Sequence, residues 1–310
     1  MFDVPIAFVT FNRPDSARAT FQCIQRLQPR TLFLISDGPR ADRDGEAERV
    51  AQTRQVTDQI DWDCDVTRIY ADDNLGCGRR ISSGITQALQ SVERLIVMED
   101  DCVADASFFP FCQSVLDRYA DDERVMAVSG NNFQQGRRRG DASYYFSKYP
   151  HCWGWATWRR AWQQFDLGIP DWPAFRDAGG LRSVCSSQRE IQYWTEIFDK
   201  VHQGQSQSWA FPWTLATWMN HGLTVLPQVN LVRNTGFGED ATHTRKSNST
   251  SNLPTCSIDQ IQHPGWIVQD VDADQFTDNL VFSGTGGHGP LKRMERGFRK
   301  LRKSIRSKLS

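Results

Sequence analysis

The sequence predicts an α/β fold built on a largely parallel sheet covered by helices on both faces. Three observations predict it. Short apolar runs alternate with stretches of helical periodicity through the first 130 residues. These segments alternate singly rather than in blocks, which implies right-handed βαβ crossovers. Polar clusters follow the apolar runs, and in an open parallel sheet such clusters share one edge, beyond the carboxyl ends of the strands, where ligands bind.

The elements follow in order. Val4–Phe11 reads as a short buried strand. Pro14-Asp15-Ser16 reads as a helix start, with Ala17, Phe21, Ile24 and Leu27 at helical spacing. Leu32-Phe33-Leu34-Ile35 is the second strand, closed by Ser36-Asp37-Gly38-Pro39. A polar helical stretch covers 44–60, and Val66–Tyr70 is the third strand. Arg80–Val92 is helical, with Ile81, Ile85 and Leu89 on one face. Leu95–Met98 is the fourth strand and runs into Glu99-Asp100-Asp101. A helix near Ser107–Tyr119 precedes a fifth strand, Val125–Val128. Nine of the eleven tryptophans then lie between Trp153 and Trp218. Trp155, Trp158 and Trp162 are spaced as one helix face packed on a core, while Trp153, Trp209 and Trp213 are open to a second reading as platforms for sugar rings or a base. Residues 245–290, rich in Ser, Thr, Asn, Gly and Pro, read as loosely structured.

The length of 310 residues suits one large domain, or one with an elaboration. We divide it into 1–130, a ligand-binding half; 131–245, a Trp-rich half of the same domain; a linker, 246–290; and a tail, 291–310. Composition excludes a disordered chain, a collagen-like fibre and a small disulfide scaffold. No apolar run approaches the ~20 residues of a spanning helix. The start, Met1-Phe2-Asp3-Val4-Pro5, lacks the basic and apolar regions of a secretory signal, so a cytoplasmic location is expected. The eight cysteines contain no C-x-x-C pair, which speaks against zinc ribbons and thioredoxin-like chemistry and for reduced, buried thiols.

The net charge of −1 hides an asymmetry: nine basic residues and one acid fall within 291–310. The body is therefore acidic, and nucleic acid is not an expected partner. In the tail Leu291, Met294, Phe298, Leu301, Ile305 and Leu309 recur at helical steps among Lys and Arg. A basic amphipathic helix of this kind lies in an anionic membrane surface, so a peripheral place at the inner face of the cell membrane is expected.

The sharpest chemical signal is Glu99-Asp100-Asp101. Consecutive carboxylates after a buried strand repel one another unless something offsets the charge. A divalent cation does so, and Mn²⁺ or Mg²⁺ bridges one or two carboxylates to substrate phosphates.

Phe8-Val9-Thr10-Phe11-Asn12-Arg13-Pro14, Ser36-Asp37-Gly38 and Val97-Met98-Glu99-Asp100-Asp101 together resemble the nucleotide-sugar domain of GT-A glycosyltransferases. The nearest resemblance is to bacterial proteins related to N-acetylglucosaminyltransferase I, some labelled hemolysin-like. Asn74-Leu75-Gly76-Cys77-Gly78-Arg79-Arg80, Trp153-Gly154-Trp155 and the segment from Asn234 to Thr244 extend it over about residues 4–245. The resemblance implies a GT-A, Rossmann-like, mixed and mostly parallel sheet. It implies an inverting, metal-dependent glycosyltransferase that moves a sugar from a nucleotide-diphosphate donor, UDP-linked by expectation, to a glycan or glycolipid hydroxyl. It places Thr10, Asn12, Arg13 and Arg79 at the nucleotide, Asp37 at the uracil or ribose, Glu99 and Asp100 at the ribose and sugar, and Asp101 and His243 at the metal.

One departure matters. Where the relatives carry the acid that serves as catalytic base, this chain has Ala210, which takes no proton. Inversion needs a base at the acceptor hydroxyl. Glu239 and Asp240 are the remaining candidates, and the alternative function is a non-catalytic, membrane-tethered protein that binds nucleotide-sugar or glycan. Gly284–Gly289 matches G-x-G-x-x-G but lacks the flanking strand and helix of a dinucleotide site, and reads as linker.

Overall fold

A computed structural model of the chain describes residues 1–236 and 253–283. The first half runs β1 (Ile6–Thr10), α1 (Pro14–Leu27), β2 (Thr31–Ser36), α2 (Glu46–Gln55), β3 (Asp65–Tyr70), α3 (Cys77–Ser91) and β4 (Arg94–Glu99). There follow β5 (Cys102–Ala104), α4 (Phe108–Arg118), β6 (Val125–Ser129), β7 (Tyr144–Ser147), β8 (Trp155–Trp158) and α5 (Arg159–Trp162). The chain continues through α6 (Trp172–Asp177), α7 (Gln188–His202), α8 (Ala210–Met219), β9 (Leu223–Pro227), β10 (Val232–Asn234) and α9 (Val271–Val281).

Eight strands form one sheet in the order β3-β2-β1-β4-β8-β6-β9-β7. The first four are parallel, and β8 enters antiparallel between β4 and β6. β9 runs parallel to β6, and β7 closes the edge antiparallel to β9. This is the mixed, mostly parallel sheet that the sequence predicts. Alternation explains why its central strands are continuously apolar. Ile6, Phe8, Leu34, Ile96 and Met98 pack on one face with Phe21 and Ile24 of α1 and Phe111 of α4. Ala7, Val9, Ile35, Leu95 and Val97 pack on the other with Ile81 and Ile85 of α3 and Trp213 of α8. A strand buried on both faces has no polar side to show.

Three expectations are corrected. Trp155 and Trp158 lie in a strand, not on a helix face; only Trp162 ends a helix, the four-residue α5. The i, i+3, i+7 spacing fits a helix, but the β-pairing of Trp155 with Val97 and Ser129 and of Trp158 with Arg94 decides the backbone. All three rings are nonetheless core, as expected. The fifth strand expected from the sequence is the sixth in the chain, because the three-residue β5 is too short to leave a periodic signal. Within 245–290, Val271–Val281 forms α9, with Ala273, Asp274, Thr277 and Asp278 buried. Its polar composition hides the helix, since the face it buries is largely carboxylate and hydroxyl.

All eight cysteines are free; Cys102 and Cys112 are buried, five are half-buried and Cys256 is exposed. Among the described residues no helix is long and apolar enough to cross a membrane. The tail 291–310 and the glycine motif 284–289 lie outside the described residues.

Candidate functional site

The parallel pairing of β1 with β4 sets Val9 beside Glu99. Whatever follows the two strands must therefore meet: Phe11-Asn12-Arg13 after β1, and Asp100-Asp101 after β4. A cavity of about 290 Å³ opens there, lined by Thr10, Arg13, Asp37, Glu99, Asp100 and Asp101 with parts of α3 and the start of α8.

Arg13 holds the acids. Its Nη2 donates to Asp100 Oδ1, and its Nη1 donates to Asp101 Oδ2 at 2.9 Å. The Phe11 N–H also donates to Asp100 Oδ2 at 3.3 Å, and Thr20 Oγ1 caps the Asp100 carbonyl at 3.1 Å. Asp100 is thus buried and tied from two sides. Burial still pushes its carboxyl up to about 6, against the pull of Arg13. Glu99 is worse placed. Burial, and then the charges of Asp101 and Asp100, push it up to about 8, and Arg13 and a bond from the Trp209 indole offset only part of this. One guanidinium binds two of the three carboxylates, and Glu99, which it does not bind, lies in the field of the other two acids.

Asp101 is held differently. The ribbon of β5 and β10 brings Asn234-Thr235-Gly236 against it. Asn234 Nδ2 donates to Asp101 Oδ1 at 3.3 Å, and the Thr235 N–H donates to the Asp101 carbonyl at 2.8 Å. A β-carbon on Gly236 would collide with Asp101 Oδ2, so glycine is what lets this segment close over the acid.

The donor set is hard oxygen, from Asp101 with Glu99 beside it, and the charge is in excess; both suit a hard divalent cation. Among the described residues no three His, Cys, Asp or Glu side chains assemble into a metal-binding group. One or two carboxylates with substrate phosphates and water suffice for Mg²⁺ or Mn²⁺.

Asp37, at the end of β2, is a structural clamp. Oδ1 accepts from the Gly38 and Leu75 N–H groups at 3.0 and 2.9 Å. Oδ2 accepts from Asn74 Nδ2 and the Gly76 N–H at 3.1 and 3.0 Å. A carboxylate has about four acceptor positions, so the loop before α3 uses them all. Gly76, at φ +81°, turns the chain into α3, whose start no side chain caps.

α8 begins with Trp209 and Ala210, both lining the cavity. This helix, apolar but for Thr214 and Thr217, is buried on two sides, Trp213 against the sheet and Leu215 and Trp218 against α7. Trp209 stacks on Trp155 with centroids 5.1 Å apart and offers its indole N–H to Glu99.

Of the predicted residues, Thr10, Arg13, Asp37, Glu99, Asp100 and Asp101 come together at the cavity. Asn12 does not line it; its Nδ2 donates to Glu46 Oε1 at 2.9 Å. Arg79 is exposed and stands away from it, while Arg80 is buried and lines it. Glu239, Asp240 and His243 lie outside the described residues. Sequence reasoning missed Arg80, Asn234, Gly236 and the bond from Trp209. Helical phase was the signal for Arg80: at ~100° per residue Arg79 lies nearly opposite Ile81, and Arg80 lies at its flank.

No family model matches the chain, and no curated protein matches it. It is similar to solved structures at low identity. An active-site mutant of LgtC is 9% identical, with 89% of this chain and 94% of that one covered and a TM-score of 0.39. Mouse xyloside xylosyltransferase 1 in its apo form is 13% identical over 72% and 84%, with a TM-score of 0.37. A UDP-glucose pyrophosphorylase complexed with UDP-glucose is 9% identical over 74% and 90%, with a TM-score of 0.35. Likeness at this level assigns neither family nor activity.

Proposed function

We propose that the cavity binds a nucleotide-diphosphate sugar, UDP-linked, with a divalent cation, and that the chain transfers the sugar to a hydroxyl of a glycan or glycolipid. The observation that carries this reading is the run Glu99-Asp100-Asp101 at the end of β4, three carboxylates with Arg13 bound to two of them, on the wall of a cavity at the sheet's carboxyl edge. Sites at that edge of an open α/β sheet bind ligands. Unrelieved negative charge there is costly, and a metal–diphosphate ligand relieves it.

Asp101, with Glu99 beside it, would hold Mn²⁺ or Mg²⁺, and the bound ion would supply charge neutralisation for a diphosphate leaving group. The chain's own residues do the rest. Arg13 fixes Asp100 and Asp101 in place, so their geometry does not wait on the ligand. Trp209 donates a hydrogen bond to Glu99. In the transfer, the acceptor oxygen bonds to the anomeric carbon as the bond from that carbon to the diphosphate oxygen breaks. The hydroxyl proton passes to a carboxylate on the acceptor side, for which Glu239 and Asp240 are our candidates, and His243 is our candidate for a further metal ligand. The basic tail, 291–310, would hold the chain at an anionic membrane where a lipid-linked acceptor lies.

Ala210 favours a second reading. It lines the cavity on the wall where a base would be useful, and cannot act as one. A protein that binds the donor without transferring it fits that wall equally. Donor hydrolysis measured with UDP-sugars in Mn²⁺ separates the two. Activity in the wild type that falls on Glu239→Gln or Asp240→Asn supports transfer. An inert wild type that gains activity on Ala210→Asp supports the binding protein. Sedimentation with anionic vesicles tests the tail: binding should weaken with salt and vanish when 291–310 are deleted, and binding that survives deletion removes the membrane claim.

A further inference from the structure

The cavity holds three cations, and their partners differ. Arg13 is bound to Asp100 and Asp101, and Arg40 to Glu46. Arg80 has no carboxylate within ion-pair distance among the described residues. It is 6% exposed, its Nη2 donates to Ser83 Oγ at 3.1 Å, and its buried Nε has no hydrogen-bond partner. A buried guanidinium without an anion is expensive, and an orphaned N–H adds to the cost. Asp37, whose charge reaches Arg80, has no acceptor position left for it.

Arg80 stands in the first turn of α3, a helix of 15 residues. Gly76, Cys77 and Arg80 all line the cavity, and among the described residues no side chain caps the N–H groups of that turn. Uncapped first-turn amides and the positive end of the helix dipole attract anions. Helix start and a guanidinium without an ion-pair partner thus line the same cavity as the acidic run.

We propose that Arg80 and the first-turn amides of α3 form a phosphate-binding subsite, separate from the acidic run, which takes a phosphate of the ligand. That the phosphate belongs to a nucleotide-sugar rests on the function proposed above; the subsite itself does not. The guanidinium stays uncompensated in the free protein so that its hydrogen bonds are made with the ligand.

The test is calorimetry in EDTA at fixed ionic strength, with pyrophosphate, uridine and UDP as probes, on the wild-type full chain and on Arg80→Gln and Arg80→Lys. Pyrophosphate should bind the wild type, weaken on the order of tenfold or more in Arg80→Gln, as loss of a charged hydrogen bond predicts, and lie between in Arg80→Lys. Uridine should be indifferent to both changes. Equal pyrophosphate affinity in wild type and Arg80→Gln overturns the subsite, as does no pyrophosphate binding by the wild type. If UDP binds no tighter than pyrophosphate, the subsite stands and the nucleotide reading falls. If UDP binds tightly in Mn²⁺ with no effect of Arg80→Gln, the reverse holds. Thermal melts without ligand provide the second readout. Arg80→Gln should melt no lower than wild type, since it removes an uncompensated charge, and a much lower melt would make Arg80 structural and overturn the proposal.

Discussion

Arg13 shows how one residue sets the character of the site. Its guanidinium serves two acids at once, and its own charge is stabilised in turn: burial opposes it, and the charges of Asp100 and Asp101 outweigh the burial. Arg13→Ala leaves Asp100 buried without its cation. The expected cost is about 3 kcal/mol or more, to be read from urea unfolding at pH 7. An unfolding midpoint equal to wild type would mean that the acids do not depend on Arg13. Gly236→Ala tests the other side of Asp101. Its β-carbon meets Oδ2 of that acid, so the acid must shift. We expect weaker Mn²⁺-dependent UDP binding with near wild-type unfolding, and unchanged binding would show that Asp101 has room to give.

At the scale of elements, the loop into α3 depends on a carboxylate from another strand. Asp37→Ala removes four bonds to Gly38, Asn74, Leu75 and Gly76. We expect a loss of about 2 kcal/mol and faster hydrogen exchange at Leu75 and Gly76; exchange unchanged there would contradict the clamp. The strands β1, β2 and β4 were legible in the sequence because burial on both faces leaves continuous apolar runs, whereas the edge strand β3 buries only Ile69. The acids after β4 were legible as a group at the sheet edge because three consecutive carboxylates follow directly on a buried strand. What stayed hidden was nonlocal. The role of Asp37 as a clamp depends on a loop 37 residues further on, and the hold of Asn234 on Asp101 depends on pairing between β5 and β10, three residues each. Trp155 misled because its spacing to Trp158 and Trp162 suits a helix, while its place between β4 and β6 is set by partners far along the chain. Arg79 and Arg80 are adjacent in sequence, and only the phase of the helix separates an exposed side chain from a buried one.

For the whole molecule, α9 ties the end of the described chain to the body through buried polar groups. Asp274 accepts from Ser147 Oγ, from the Lys148 N–H at 3.0 Å and from Gln269 Nε2 at 2.7 Å. Lys148 Nζ in turn donates to Glu190 Oε1 of α7 at 2.6 Å. Burial pushes the Asp274 carboxyl up to about 6, and its hydrogen bonds offset this only in part. A carboxyl raised on folding favours the folded state below its unfolded value near ~4, and that contribution is lost as pH rises through about 6. Wild type should therefore lose stability relative to Asp274→Asn between pH 4 and pH 7. The loss should reach about 3 kcal/mol at most, since each tenfold change in proton affinity is worth ~1.4 kcal/mol. Urea unfolding of both proteins across that range measures the gap, and a gap independent of pH would contradict the assignment.

The central claim is that the acids after β4 hold a cation against a diphosphate. Calorimetric titration of UDP into the full chain, in Mn²⁺ and in EDTA, tests it most directly, with Asp101→Asn alongside. The account predicts binding at least about tenfold tighter in Mn²⁺, a difference of ~1.4 kcal/mol, and loss of that gain in Asp101→Asn. Equal affinity with and without metal, or a variant that keeps the gain, would contradict it.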